Sequence, residues 1–255
     1  SQAFHARLDK WFGNFPAADK SLALKLLLNI DYYNEQRFNS RLLDFHDDIR
    51  RILFDLGHDE ENLVIVVADG QGDSSNRHAY DMGKALRKGR ESILTTGELS
   101  GVDLSNQVLI FFNDTHGTGN QFIREIGGIV SRLDPKPLKI VILAINIASK
   151  AMQSLQASFP DAFIRPDVSA KTARDSFTAS EYRRLVELGR KVYSKHPEGY
   201  GDTALLTAYY FQCPNNTLPL IWADGSNNPV AGRTYPWSPL FAYKPKPDSR
   251  LATIG

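Results

Sequence analysis

The chain reads as an α/β protein built on a mostly parallel sheet of about five strands. Three observations lead there. Short β-branched runs such as LVIVVA (63–68) and KIVILAI (139–145) have the length and composition of strands buried on both faces. Between them apolar residues recur at helical spacing, so strand and helix alternate. The connections are short, which favours a parallel sheet with right-handed crossovers.

The elements follow in order. Leu22, Leu26, Ile30 and Tyr33 share one helical face, and Phe38, Leu42, Phe45, Ile49, Leu53 and Leu56 share a second. Two amphipathic helices are expected, the second ending at Gly57, as a helical cap on the core. LVIVVA is the first strand, running into DGQGDSSN and a modest helix with Ala79, Met82 and Leu86 inward. SILTT (92–96) and QVLIFF (107–112) are the second and third strands. A helix then places Phe122, Ile126, Ile129 and Leu133 on one face before KIVILAI, and AFIRP (162–166) is the fifth strand. Thr178 and Glu181 form a capping box, and Phe177 with Tyr182 the matching hydrophobic staple. The last 40 or so residues are rich in proline and aromatics, which reads as an irregular but ordered covering segment. The expected division is 1–58 as a helical segment packed on the core, 59–200 as the α/β core, and 201–255 as a covering segment of the same domain.

Composition narrows the function classes. The chain has 255 residues with a net charge of +1, so no bulk electrostatic bias toward nucleic acid is present. One cysteine, Cys213, excludes an intramolecular disulfide framework and a multi-cysteine zinc site. No apolar run approaches the roughly 20 residues that span a bilayer, so a cytoplasmic protein with no membrane partner is expected.

Two loops can carry chemistry, because ligands of parallel sheets bind beyond the carboxyl ends of strands. ADGQGDSSN follows the first strand and NDTHGTGNQ the third. Each offers backbone N–H groups made accessible by glycine, hydroxyls, and a following helix whose dipole favours an anion. Their acids can grip ribose hydroxyls or a magnesium ion. Neither GxxxxGK[ST] nor GxGxxG is present, which argues against a P-loop nucleotide triphosphatase and a dinucleotide oxidoreductase. Among other polar residues, His116 is a phosphate contact or general acid, or else a loop histidine. Asp202 closes the site or caps a segment, Asn215 and Asn216 read a base edge or hold a turn, and Trp222 and Trp237 stack on a base or fill the core.

VLIFF, the Asn113-Asp114 pair, a short spacer and Thr-Gly resemble the phosphoribosyl-pyrophosphate loop of type I phosphoribosyltransferases, in which an acidic pair follows an apolar strand. The resemblance makes Asp114 the retained acid of the pair, which holds ribose hydroxyls and Mg2+, and Asn113 the altered one. Thr115, Gly117, Thr118, Gly119, Asn120 and Gln121 become the 5′-phosphate cradle, with His116 inside it. Asp69, Gly70, Gly72, Asp73, Ser74 and Ser75 become the pyrophosphate loop, and Asp202, Asn215, Asn216 and Trp222 a closing or base-reading segment. WFGNF, the Leu-rich helix ending in IDYY, PNNTLPLIW and WSPLF further resemble the phosphoribosyltransferase-like effector family of bacterial conflict and retron-type defence systems.

That resemblance implies binding of a nucleotide or phosphoribosyl pyrophosphate and making or breaking a bond at C1′, with nucleotide degradation as an antiphage activity. Asn113 departs from the acidic pair: it keeps hydrogen bonding but brings no charge. Weaker magnesium dependence, a deoxyribonucleotide substrate and binding without turnover all follow from that change. A catalytically inactive nucleotide-binding regulator is therefore one alternative. An interaction module that docks on a reverse transcriptase and its nucleic acid through the N-terminal helices is another.

Overall fold

A computed structural model describes residues 2–67, 80–225 and 236–242. By contacts the chain divides into two compact units, one formed by 36–169 and the other by 1–35 together with 170–255. The expected division at 58 and 200 follows position along the chain, whereas these units are defined by what packs together, so the cuts fall at different places.

The 36–169 unit carries a five-stranded sheet. Its strands are β2 (Leu63–Val67), β3 (Ile93–Thr95), β4 (Val108–His116), β5 (Lys139–Ile147) and β6 (Phe163–Ser169), in the order β3-β2-β4-β5-β6. Every pairing is parallel. All five residues of β2 are buried, as an unbroken LVIVV run requires when both faces are covered. Adjacent phenylalanines show the two faces, since successive strand side chains point oppositely. Phe111 meets Phe122 edge-on at 5.4 Å, whereas Phe112 meets Phe38 and Phe45 of helix α3 (Glu35–Leu56) at 6.3 and 6.1 Å. Helix α3 buries Phe38, Leu42, Phe45, Ile49 and Leu53, the expected stripe, and stops at Gly57, whose φ of +71° suits glycine. Arg165 of β6 is tied to Asp48 of α3 at 2.8 Å.

Two strands are longer than expected. Residues 113–116 continue β4 rather than opening a loop, and β5 runs on to Ile147, with Asn113 opposite Ala144 and Thr115 opposite Asn146. The helix after β4 is also not uniform. One α-turn (Asn120–Phe122) passes through a π-helical stretch (Ile123–Gly127) into a second α-turn (Gly128–Val130), and Leu133 lies in the turn beyond. Helix α4 (Ser149–Ser158) follows β5.

The other unit joins the two ends of the chain. Helix α1 (Gln2–Gly13) buries Trp11, an element the sequence pattern did not separate. Helix α2 (Lys20–Asn29) buries Leu26 but ends before Ile30, and Tyr33 belongs to strand β1 (Asp31–Tyr33), not to a helical face. Strand β1 pairs in parallel with β7 (Thr207–Tyr209). The indoles of Trp11 and Trp237 both donate to the Leu220 carbonyl, at 2.7 and 3.1 Å. Helix α5 (Ala179–Val192) opens on the Thr178–Glu181 capping box, and Arg184 on it grips Asp19 with two nitrogens at 3.0 and 2.8 Å. Cys213 is a buried free thiol. No helix among the described residues is long and apolar enough to cross a membrane.

Candidate functional site

The strand order places the β4 terminus. The chain leaves β2 for β3 on one side and returns to β4 on the other, so the order reverses between β2 and β4. In open parallel sheets the crevice beyond the strand ends at such a reversal is where ligands bind. β2 ends at Val67, and the pyrophosphate-loop residues Asp69, Gly70, Gly72, Asp73, Ser74 and Ser75 lie outside the described residues.

At the end of β4 the polar residues are buried. Asp114, Thr115, His116 and Thr118 are 6, 8, 4 and 8 % exposed. Gly117 and Gly119 are buried with them, whereas Asn120 and Gln121 are exposed. The local hydrogen bonds shape the turn. The Asn113 side-chain carbonyl accepts the Asp114 N–H at 2.9 Å, and Thr118 Oγ1 accepts the Asn120 N–H at 3.3 Å. The Ala148 N–H donates to the His116 carbonyl at 2.9 Å, anchoring the strand end to the start of α4. Gly119 has φ +74°, and a β-carbon there would lie 3.3 Å from Leu155 Cγ and 3.4 Å from the Ala151 carbonyl oxygen. The positive φ favours glycine, and the approach to α4 leaves a β-carbon little room.

His116 is the electrostatic anomaly. Burial pushes its pKa from 6.5 down to about 4, so the imidazole is neutral at neutral pH. Its ring packs edge-on to Phe122 at 5.3 Å, and Nε2 has no hydrogen-bond partner among the described residues. A neutral imidazole can offer a hydrogen bond but brings no positive charge for a phosphate.

Asn146 was missed by sequence reasoning. It is fully buried on β5, opposite Thr115, and extends the polar strand ends by one position. The signal was present as a lone amide within the apolar run LAINIA. For a metal, no cluster of three or more His, Cys, Asp or Glu occurs among the described residues. Asp114 offers one carboxylate, which fits Mg2+ because that ion is commonly held by one or two carboxylates together with substrate phosphates.

The remaining candidates belong to the other unit. The Asn216 amide donates to the Tyr200 carbonyl at 2.8 Å, its own carbonyl accepts from Leu205 and Thr203, and the Asn215 carbonyl accepts from Tyr200. Asp202 sits in the same turn at φ +55°. These three therefore gather around one tight turn. Trp222 is 8 % exposed, with its indole on the Thr217 carbonyl at 2.7 Å, and Trp237 is 4 % exposed, so both fill the core here.

The PRTase-CE family model matches residues 8–242. No curated protein matches the chain. Among solved structures, the AQ2163 protein from Aquifex aeolicus is similar at 12% identity with a TM-score of 0.32. The match covers 42% of this chain and 54% of that one, so the chain spans about half the length of that protein. A likeness this distant carries no argument.

Proposed function

Because the chain belongs to the PRTase-CE family of phosphoribosyltransferase-like conflict effectors, we propose that the β4 terminus binds the phosphoribosyl part of a nucleotide and supports making or breaking its C1′ bond. The observation that carries this reading is the set of Asp114, Thr115, Thr118 and Gly119 at the end of the strand beside the order reversal. The Asp114 carboxylate accepts hydrogen bonds from ribose hydroxyls and holds Mg2+ together with substrate phosphates. Thr115, Thr118 and the backbone N–H groups of Gly117, Thr118, Gly119 and Gln121 take the 5′-phosphate. Mg2+, held by Asp114 with the substrate phosphates, would supply positive charge beside those phosphates. The catalytic share of these residues is positioning and charge stabilisation, since a ribose cation forms as the bond at C1′ lengthens. In an effector the degradative direction is the useful one: water adds at C1′ as the C1′–base bond breaks, the base leaves with one of the water's protons, and free base and a sugar phosphate result.

Asn113 bears on the sugar. With one carboxylate instead of two, the site is adapted to a substrate with one hydroxyl fewer, so deoxyribonucleotides are the preferred class. The test incubates the purified chain and Mg2+ with phosphoribosyl pyrophosphate and with ribo- and deoxyribonucleotides, and follows free base and pyrophosphate by chromatography. Turnover is expected, faster on deoxyribonucleotides and reduced by ~100-fold in Asp114→Asn. Binding without turnover would establish the regulatory reading instead. Absence of binding, or full activity in Asp114→Asn, would overturn the proposed site.

A docking role for the N-terminal helices draws support from Leu24 and Leu28, which are 50 and 76 % exposed one turn apart on α2. Deleting the segment would remove Trp11 and Leu26 from a core, so the suitable test is the Leu24→Glu, Leu28→Glu double variant. It should lose a reverse transcriptase complex while keeping its fold. Retained association would exclude this face.

A further inference from the structure

One described cavity is lined by none of the residues at the β4 terminus. A pocket of about 340 Å³ opens between the 3₁₀ turn Glu98–Gly101 and the end of the helical run that follows β4. Small-molecule sites start at about this size, ~300 Å³. One wall is apolar, with Leu99, Leu104 and Leu133 1, 1 and 6 % exposed and Ile129 beside them, while Thr96, Gly97 and Ser100 make the lining mixed. Arg132 and Asp134, both exposed, are its charged lining residues, next to Leu133 in sequence. Neither side chain has a hydrogen-bond or ion-pair partner among the described residues, and the two are not paired with each other.

We propose that this pocket binds a small zwitterion with an apolar side group, an apolar α-amino acid being the simplest member of the class. The pairing of charges selects it. The Arg132 guanidinium presents a planar fork that matches a carboxylate. The Asp134 carboxylate accepts from an ammonium group. A ligand with only an anion meets Asp134 as a like charge, and one with only a cation meets Arg132 as a like charge, so each rim residue rejects what the other attracts. A zwitterion satisfies both, and its side group leaves water for the leucine walls, which supplies affinity where the charges supply orientation. None of residues 113–121 lines this pocket, so the inference stands or falls independently of the phosphoribosyl site.

The test is calorimetric titration of the full chain with L-phenylalanine, L-leucine, glycine, phenylacetate and 2-phenylethylamine. At least one of the two apolar amino acids should bind saturably, with a dissociation constant of about 1 mM or tighter. Glycine, phenylacetate and 2-phenylethylamine should each bind at least ~10-fold more weakly. Arg132→Ala and Asp134→Ala should each weaken the amino acid by ~10-fold or more, with circular dichroism and melting unchanged because both side chains are exposed. The proposal is overturned if neither amino acid binds, if phenylacetate or the amine binds as well as the amino acid, or if both variants keep full affinity.

Discussion

Replacing His116 by leucine should remove a pH dependence from the stability of the fold. Burial holds the imidazole pKa near 4 against an ordinary 6.5. A depressed histidine takes up its proton less readily folded than unfolded. The unfolded chain therefore holds more protons between those values, and stability rises with pH across that window. At pH 7.5 both states are neutral and the group contributes nothing. At pH 5 the unfolded imidazole is charged and the folded one is not. The roughly 1.5 units between 6.5 and 5, at ~1.36 kcal/mol each, then cost about 2 kcal/mol. Urea unfolding of both proteins at pH 7.5 and 5 reads this directly, because comparison with His116→Leu cancels the other histidines. The upper part of the acid range is the right one to use. Glu181, held at about pKa 2 by Lys25 and the Thr178 cap, and Asp19, held low by Arg184, lose their contributions only as pH falls through the carboxylate range. An equal drop in the two proteins would refute the argument and place His116 in contact with water or a carboxylate.

Three further outcomes follow from packing. Gly119→Ala should destabilise by ~1–2 kcal/mol from its φ of +74° alone, and by more than Gly57→Ala, whose φ is +71° but whose β-carbon meets nothing within 4 Å; denaturant midpoints compare the two. Asp19→Asn removes the charge gripped by Arg184 and should cost ~1–2 kcal/mol at pH 7, discounted because the arginine side chain is 39% exposed. That loss should shrink as pH falls below the ordinary carboxylate value of 3.8, where the unfolded aspartate protonates, and vanish below the lowered folded value. Thr178→Ala opens the capping box of α5 and should cost ~1 kcal/mol, seen as a lowered melting temperature.

The sheet was legible because its strands are short, apolar and β-branched, and because a buried parallel sheet leaves no other use for such runs. The capping box and the stop at Gly57 were legible because each is a local hydrogen-bonding or dihedral requirement. The continuation of β4 through 113–116 was not, since polar residues in a row look like a loop until a neighbouring strand is known to pair with them. The β1–β7 ladder was invisible for a similar reason. Each partner has three residues, and they lie some 175 positions apart, with Asp31 opposite Thr207. The π-helical stretch keeps Ile126 buried while shifting the residues beyond it, so regular 3.6-residue spacing carried the helix too far, to Leu133.

The same strand end separates a mere turn from a site. A turn needs glycine and a short polar residue that accepts a backbone N–H, and Gly119, Thr118 and Asn113 already provide that. It does not need Asp114, Thr115 and His116 buried in succession on a central strand. Burying polar groups opposes folding unless each is satisfied, and the unpartnered Nε2 of His116 alone costs about 1–3 kcal/mol. Apolar residues at these positions would extend the VLIFF pattern and fold more stably. Polar groups kept there, beside the reversal of strand order, are what the proposed phosphoribosyl site would require of this strand end, at a cost in stability.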